Sequence, residues 1–254
     1  MPTIRVELEE RSYPIIIGHK NTDKLIKVID RLVGNNRLFI YYDANFYALH
    51  GVKLSNFLKR YKPIELVVPS GEKSKSQAQL TKLQHHLLDQ KISRSDFILA
   101  VGGGVTTDLI GYLSATTLRG IKWGIVSTTL LGMVDASIGG KTGINTKHGK
   151  NLIGAFWQPS FVFCDSFYLN TLNNREFNCG LGEIVKYAGL IGGDYIDLLQ
   201  KFIDNPNNDK TSILSARSSL NAPSITELTT LLVWLFTPLH RIQPCTPSII
   251  TATP

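Results

Sequence analysis

The chain has 254 residues, of which 43% are apolar and 19% charged, with a net charge of +7 and a pI near 9.3. That length and mixture suit a globular protein of one large or two smaller domains with ample core. The basic residues are dispersed and form no Lys/Arg block or nucleic-acid module, so a small anionic ligand accounts for the charge and nucleic acid is not needed. Cys164, Cys179 and Cys245 lack C-x-x-C spacing. This excludes a zinc knuckle and a disulfide framework and leaves small buried fillers.

The charged, alternating start over 1–10 is unlike a signal peptide. The longest late apolar run, 231–236, is far too short for a bilayer, so a cytoplasmic protein without membrane contact is expected. Residues 3–8 alternate as a half-buried strand, and 13–17 read as its neighbour. Residues 21–32 have helical spacing at Leu25, Ile26, Val28, Ile29 and Leu32. A short apolar strand over 37–42 ends in Asp43, followed by a helix over about 46–60, the strand 64–68 and a long helix over 74–90. The buried strand 97–101 runs into Gly102-Gly103-Gly104 and more helix, and 122–126 is a further strand.

Strands alternating with helices predict an α/β fold, a Rossmann-like, mostly parallel sheet covered on both faces over residues 1–170. Ligands of such sheets bind beyond the carboxyl ends of the strands. Those ends carry Asp43, Ser70-Gly71-Glu72, the triple glycine and Ser127-Thr128-Thr129. From Arg175 the apolar spacing turns helical, predicting the start of an all-helical second domain over 171–204. Of the last 44 residues, 19 are Ser, Thr or Pro and three are charged, which predicts a poorly ordered tail over 205–254.

The richest stretch is 135–151, with four glycines, three lysines, Asp135 at one end and Asn151 at the other. Glycines let backbone approach a ligand, and Lys141, Lys147 and Lys150 are point charges suited to phosphate or carboxylate oxygens. A P-loop would need glycine where Asp135 stands, so an anion-binding loop of another kind is expected. Gly102-Gly103-Gly104 follows a strand and opens a helix, as a pyrophosphate site would, or as a tight turn would. Asp43 at a strand end could hold a ribose hydroxyl or cap a helix. Glu72 and Lys75 read as a first-turn pair, and Thr128-Thr129 as ligand hydroxyls or turn caps. Glu183 and Lys186 share a helix face as a salt bridge or as a metal ligand beside a substrate lysine. No pair of histidines has ligand spacing, so spacing alone indicates no metal.

These elements resemble the 3-dehydroquinate synthase family of sugar-phosphate cyclases over residues 1 to about 193. Gly102-Gly-Gly-Val-Thr-Thr-Asp-Leu-Ile-Gly111 is similar to its pyrophosphate loop. Thr128-Thr-Leu-Leu131, Val134-Asp-Ala-Ser-Ile-Gly-Gly-Lys-Thr142 and Gly149-Lys-Asn151 resemble its central signature, and Gly180-Leu-Gly-Glu-Ile-Val-Lys-Tyr187 the start of its helical domain. The resemblance implies conversion of a seven-carbon keto-sugar-acid phosphate (DAHP) to 3-dehydroquinate with phosphate release, using NAD and a divalent metal, zinc or cobalt, in a homodimer. It implies that NAD is bound by Asp43, Asn45, Ser70, Gly71, Glu72, Lys73, Ser74, Lys75, Gly103, Gly104, Val105, Thr106, Thr107 and Asp108. Thr128, Thr129, Lys141, Lys150, Tyr168, Leu169, Asn170, Thr171, Leu172 and Glu176 join that set by the same resemblance. Lys141, Lys150, Asn151, Arg119 and Lys186 would surround the substrate, Asp135 would support Lys141, and Glu183 would be one metal ligand.

Ser127 stands where the family usually has proline, and its Gly-His-rich motifs are not found after about Asp204. A chain truncated or replaced there, and lacking a complete catalytic metal site, is therefore expected. The alternatives are another sugar-phosphate cyclase, a metal-dependent alcohol dehydrogenase, or a non-catalytic NAD-binding fragment.

Overall fold

The computed structural model describes residues 3–193, 196, 197, 199, 200 and 204. Its strands are β1 (Thr3–Val6), β2 (Tyr13–Gly18), β3 (Leu38–Asp43), β4 (Ile64–Val68), β5 (Phe97–Gly102), β6 (Lys122–Ser127), β7 (Lys141–Thr146), β8 (Gly149–Phe156) and β9 (Val162–Asp165). The helices are α1 (Thr22–Val33), α2 (Ala44–Phe46), α3 (Val52–Leu58), α4 (Gln77–Asp89), α5 (Gly104–Thr116) and α6 (Asn174–Ile191). Seven strands form one sheet in the order β1-β2-β9-β6-β5-β3-β4. Only the β1–β2 pair is antiparallel. The expected Rossmann-like α/β sheet is therefore present.

Period-two alternation of a strand sends successive side chains to opposite faces, and β5 shows how this builds two cores. Ile98 and Ala100 join Leu83 of α4 and Leu109 and Leu113 of α5 on one face. Phe97, Leu99 and Val101 join Leu25 and Ile29 of α1 and Leu54 and Leu58 of α3 on the other. With both faces covered, every residue of β5 is buried. That is why its sequence reads as an unbroken apolar run.

The helix expected over 46–60 is broken into α2, a π turn at Tyr47–Gly51 and α3. The helix expected from 74 begins as α4 at Gln77, after a 3-10 turn at Glu72–Ser74. The larger difference lies in the glycine-rich stretch. Residues 141–156 form the antiparallel hairpin β7–β8 and not a loop. Glycines make it possible: a Cβ on Gly154 would lie 2.1 Å from the Thr142 carbonyl oxygen, and one on Gly143 2.6 Å from that of Ile153. The hairpin lies on α5, where Gly111 leaves room for Thr142 and the Trp123 ring. No strong alternation marks β7 or β8, because nine of their fourteen positions are glycine, lysine, threonine or asparagine.

Asn173 caps α6 by accepting the Glu176 N–H at 2.9 Å. Gly180 of that helix lets it approach the 130–131 backbone, which a Cβ would meet at 2.7 Å. Cys164 is buried as expected, whereas Cys179 faces solvent on α6; Cys245 and the whole expected tail, 205–254, lie outside the described residues. Among the described residues no helix is long and apolar enough to cross a membrane.

Two glycine substitutions separate close packing from helix propensity. Gly154→Ala forces the hairpin apart and should destabilise by about 1–3 kcal/mol. Gly182→Ala, in α6 with nothing within 4 Å of the new carbon, should stabilise by roughly 0.5–1 kcal/mol. Urea unfolding of both variants checks the opposite signs, and equal effects would refute the packing account.

Candidate functional site

Parallel pairing sets the carboxyl ends of β3, β4, β5 and β6 side by side: Asp43 pairs with Val68, and Gly102 with Ser127. Asp43 is a hub there. Its Oδ1 accepts the Asn45 and Phe46 N–H groups at 2.9 and 3.2 Å and the Ser70 hydroxyl at 2.8 Å. Its Oδ2 accepts the Thr106 hydroxyl at 3.3 Å. The carboxylate caps α2, one of the two readings of Asp43 from sequence, and also ties three strand ends together.

Gly102 has no room for a side chain, since a Cβ would meet Thr106 at 2.7 Å and Asp43 at 3.0 Å. Gly103 starts α5 without any side-chain cap and packs on Thr129, 2.7 Å from where its Cβ would be. The first N–H groups of this 13-residue helix thus face outward beside Thr128 and Thr129, an arrangement that favours anions. Thr106 and Thr107 are buried, Thr107 bonding the Gly104 carbonyl at 3.1 Å. Thr129 accepts the Gly132 N–H at 3.1 Å and so also serves as a turn cap. Gly71, Lys73 and Ser74 shape the preceding turn, with Gly71 at φ 89° and the Ser74 hydroxyl on its carbonyl at 2.6 Å.

One helical turn into α5, Asp108 receives the ammonium of Lys75, which also bonds the Asn151 carboxamide oxygen. Lys75 is 4% exposed. Glu72 and Lys75 do not pair with each other as the spacing suggested. Glu72 accepts Asn145 Nδ2 at 2.7 Å and has Lys150 at 3.8 Å. Asn145 also accepts the Asn151 N–H at 3.0 Å and gives its own N–H to the Lys75 carbonyl at 2.8 Å. Asn151 is held at φ 57°, a left-handed conformation asparagine tolerates. Burial pushes the Asp108 carboxyl up to about 6; the Lys75 charge opposes this, and Glu72 and Asp135 add to it.

On α6, Glu183 pairs with Lys186. Glu183 Oε2 is buried and its ammonium partner approaches away from a hydrogen-bonding direction. Lys186 lies 4.6 Å from the Tyr187 ring centroid, and the Tyr187 hydroxyl donates to Asp135 at 3.0 Å. Burial and then the Asp135 charge raise the Tyr187 phenol. Among the described residues no group of three His, Cys, Asp or Glu side chains could hold a metal.

Tyr168 is buried, and its ring meets Phe46 and His50 at 4.9 and 5.3 Å. Thr171 reaches His50 Nε2 at 2.7 Å. Leu169 is buried and Asn170 exposed in the same 3-10 segment, Ser166–Thr171. Leu172 and Glu176 lead into α6. Lys141 is exposed at the first position of β7. Arg119 stands apart: it precedes β6 at that strand's amino end, while Thr128 follows the carboxyl end. Hydrogen bonds and ion pairs connect Asp43, Asn45, Ser70 and Thr106 in one group and Glu72, Lys75, Asp108, Lys150 and Asn151 in another, with Arg119 outside both. Asn145 and Tyr187 were not singled out, although the first lies in the glycine-rich stretch and the second ends the Gly180 motif. A hollow of about 510 Å³ lies elsewhere, lined by the Tyr47–Gly51 turn and by Val52, Lys53, Asn56 and Phe57 of α3.

Residues 65–179 match the profile of 3-dehydroquinate synthase N-terminal domains. Curated 3-dehydroquinate synthases include one from Thermoanaerobacter sp., 40% identical over 79% of this chain and 57% of its own length, and one from Rhodospirillum rubrum, 43% identical over 78% and 52%. Among solved structures, 2-epi-5-epi-valiolone synthase from Streptomyces hygroscopicus, with NAD+ and Zn2+ bound, is 26% identical at a TM-score of 0.70, covering 92% of this chain and 62% of that one. An iron-containing alcohol dehydrogenase at 16% identity and a TM-score of 0.57, covering 69% and 52%, shares the fold alone. The class is thus that of sugar-phosphate cyclases. Within it, residues 65–179 match the N-terminal domain of the 3-dehydroquinate synthase family, and the chain spans about half the length of the curated relatives it matches.

The Lys75–Asp108 contact sets a pH test. In Lys75→Met, burial, Glu72 and Asp135 still disfavour the Asp108 anion while the opposing cation is gone. The carboxyl titration, followed by carbon NMR, should move upward from about 6; a fall, or no change, contradicts the pairing.

Proposed function

We propose that the chain binds NAD and a doubly anionic sugar-acid phosphate, and that its chemistry is the dehydroquinate synthase reaction: DAHP to 3-dehydroquinate with release of inorganic phosphate. The observation that carries this reading is the Lys75 link between the hairpin and α5. It ties Asn151 to Asp108, one helical turn into the helix that Gly103 caps.

The nucleotide fits the residues present. The N–H groups at the start of α5 suit a pyrophosphate, the Asp43 carboxylate suits a ribose hydroxyl, and glycines at 102 and 103 let Thr106, Asp43 and Thr129 close around the turn. NAD supplies a reversible hydride acceptor, so the net reaction releases phosphate without net oxidation. Lys141 and Lys150 would neutralise substrate oxygens, each charge-assisted bond contributing about 1.5–3 kcal/mol. Asp108 and Asn151 hold Lys75 in place, and Asp135 is held in turn by Tyr187. Arg119 would join the substrate only from outside this cluster.

The metal fits less well. A catalytic zinc site takes about three protein ligands, and Glu183 is a single carboxylate already paired with Lys186. Its further ligands would have to come from beyond the described residues, so no step is derived through a metal. That observation favours a second reading, a non-catalytic NAD-binding protein.

NAD binding, phosphate release from DAHP and NADH absorbance separate the readings. Phosphate release without NADH build-up supports the synthase, NADH build-up a dehydrogenase, and NAD binding with neither the non-catalytic protein. Gly103→Val, which drives a side chain into Thr129, should weaken NAD binding at least tenfold, roughly 1.4 kcal/mol. Unchanged NAD affinity in that variant would refute the nucleotide assignment.

A further inference from the structure

Beyond the Asp43–Gly103 region, the carboxyl ends of β2 and β9 frame a second concavity of about 130 Å³ that the proposed chemistry does not use. Its charges are lopsided. The ammonium groups of Lys20 and Lys53 lie 5.3 and 5.6 Å from the centroid of one ring, that of Phe167. The His50 and His19 rings stand edge-on to the same ring at 5.8 and 6.2 Å. The carboxylate in the lining, Asp165, is 2% exposed and already occupied. Its oxygens accept the backbone N–H groups of Lys20 at 2.8 Å, Asn21 at 2.9 Å and Phe167 at 3.0 Å. Among the described residues neither Lys20 nor Lys53 has an ion pair with a carboxylate.

Two ammonium groups brought to one ring repel each other, and the ring face offsets little of that at an exposed site. Burial, and next the Lys53 charge, hold the His50 imidazole below its usual range, which is what an uncompensated positive neighbourhood does. A bound dianion would relieve it. The volume admits one tetrahedral oxyanion and is too small for a nucleotide.

We propose that this pocket is a phosphate-binding site, with Lys20 and Lys53 as its charged ligands, His50 as a polar wall and Phe167 as its floor. Its ligand is inorganic phosphate or the phosphate group of a small monoester. It is separate from the dinucleotide region, although Tyr168 borders both.

The test uses the full chain, titrated calorimetrically with inorganic phosphate and with phenyl phosphate, with and without saturating NAD. A phosphate site should fill whether or not NAD is present, and Lys20→Met and Lys53→Met should each weaken that site at least about tenfold. Tighter binding of phenyl phosphate would identify a monoester pocket, and equal or weaker binding a site for free phosphate. Nitrogen NMR of the His50 ring should show its pKa rising when phosphate binds, a readout that survives if calorimetric heats are small. Displacement of phosphate by NAD would assign the pocket to the cofactor and overturn the proposal. So would unchanged affinity in both lysine variants, or chloride competing as well as phosphate does. Failure of NAD to bind at all would bear on the proposed function and leave the pocket's own titration intact.

Discussion

Taking the ammonium of Lys75 out of water costs several kcal/mol unless it is paired and hydrogen-bonded. The chain supplies that pairing from two distant places, Asp108 on α5 and Asn151 on β8. Once the lysine is buried, the turn after β4, the first turns of α5 and the hairpin have one compatible arrangement. Asn145 reinforces it with contacts to Glu72, to the Asn151 N–H and to the Lys75 carbonyl. Losing one partner would leave an uncompensated buried charge, so the link is cooperative in the sense that each contact depends on the others.

Much of the fold could be read from the sequence because its strands are buried on both faces. Residues such as 97–101 have no polar positions to confuse the pattern, and the alternation of strand and helix followed directly. The hairpin was not legible for the opposite reason. β8 has an exposed surface carrying Leu152, Ile153 and Phe156, and β7 has a single large apolar residue, Ile144. Its structure depends on backbone approach at Gly143 and Gly154, which no periodicity reports. Within the site, Asp43 and the triple glycine were visible from their places at strand ends. The Lys75–Asp108 contact was not, because partners 33 residues apart are joined only by the packing of α5 against the hairpin.

The strand-end cluster and helix α6 differ in how closely their side chains are tied together. Asp43, Ser70, Thr106 and the Gly103 turn form one connected surface at three neighbouring strand ends. Glu183 and Lys186 form a local pair at one helix, with Tyr187 linking that helix to Asp135. Glu183 is one carboxylate on one helix, and the described residues set no further pair of metal-ligating side chains beside it. The chain spans 57% of the Thermoanaerobacter sp. relative and 52% of that from Rhodospirillum rubrum, so activity of the whole protein is a separate matter from the surface described.

The central claim is that Lys75 locks the hairpin against α5. Hydrogen exchange of individual amides in the Lys75→Met variant tests it most directly. Exchange at the Asn151 N–H should quicken at least tenfold, roughly 1.4 kcal/mol of lost protection, while β5 amides keep their rates. Equal protection of Asn151 in the variant and the parent would contradict the account.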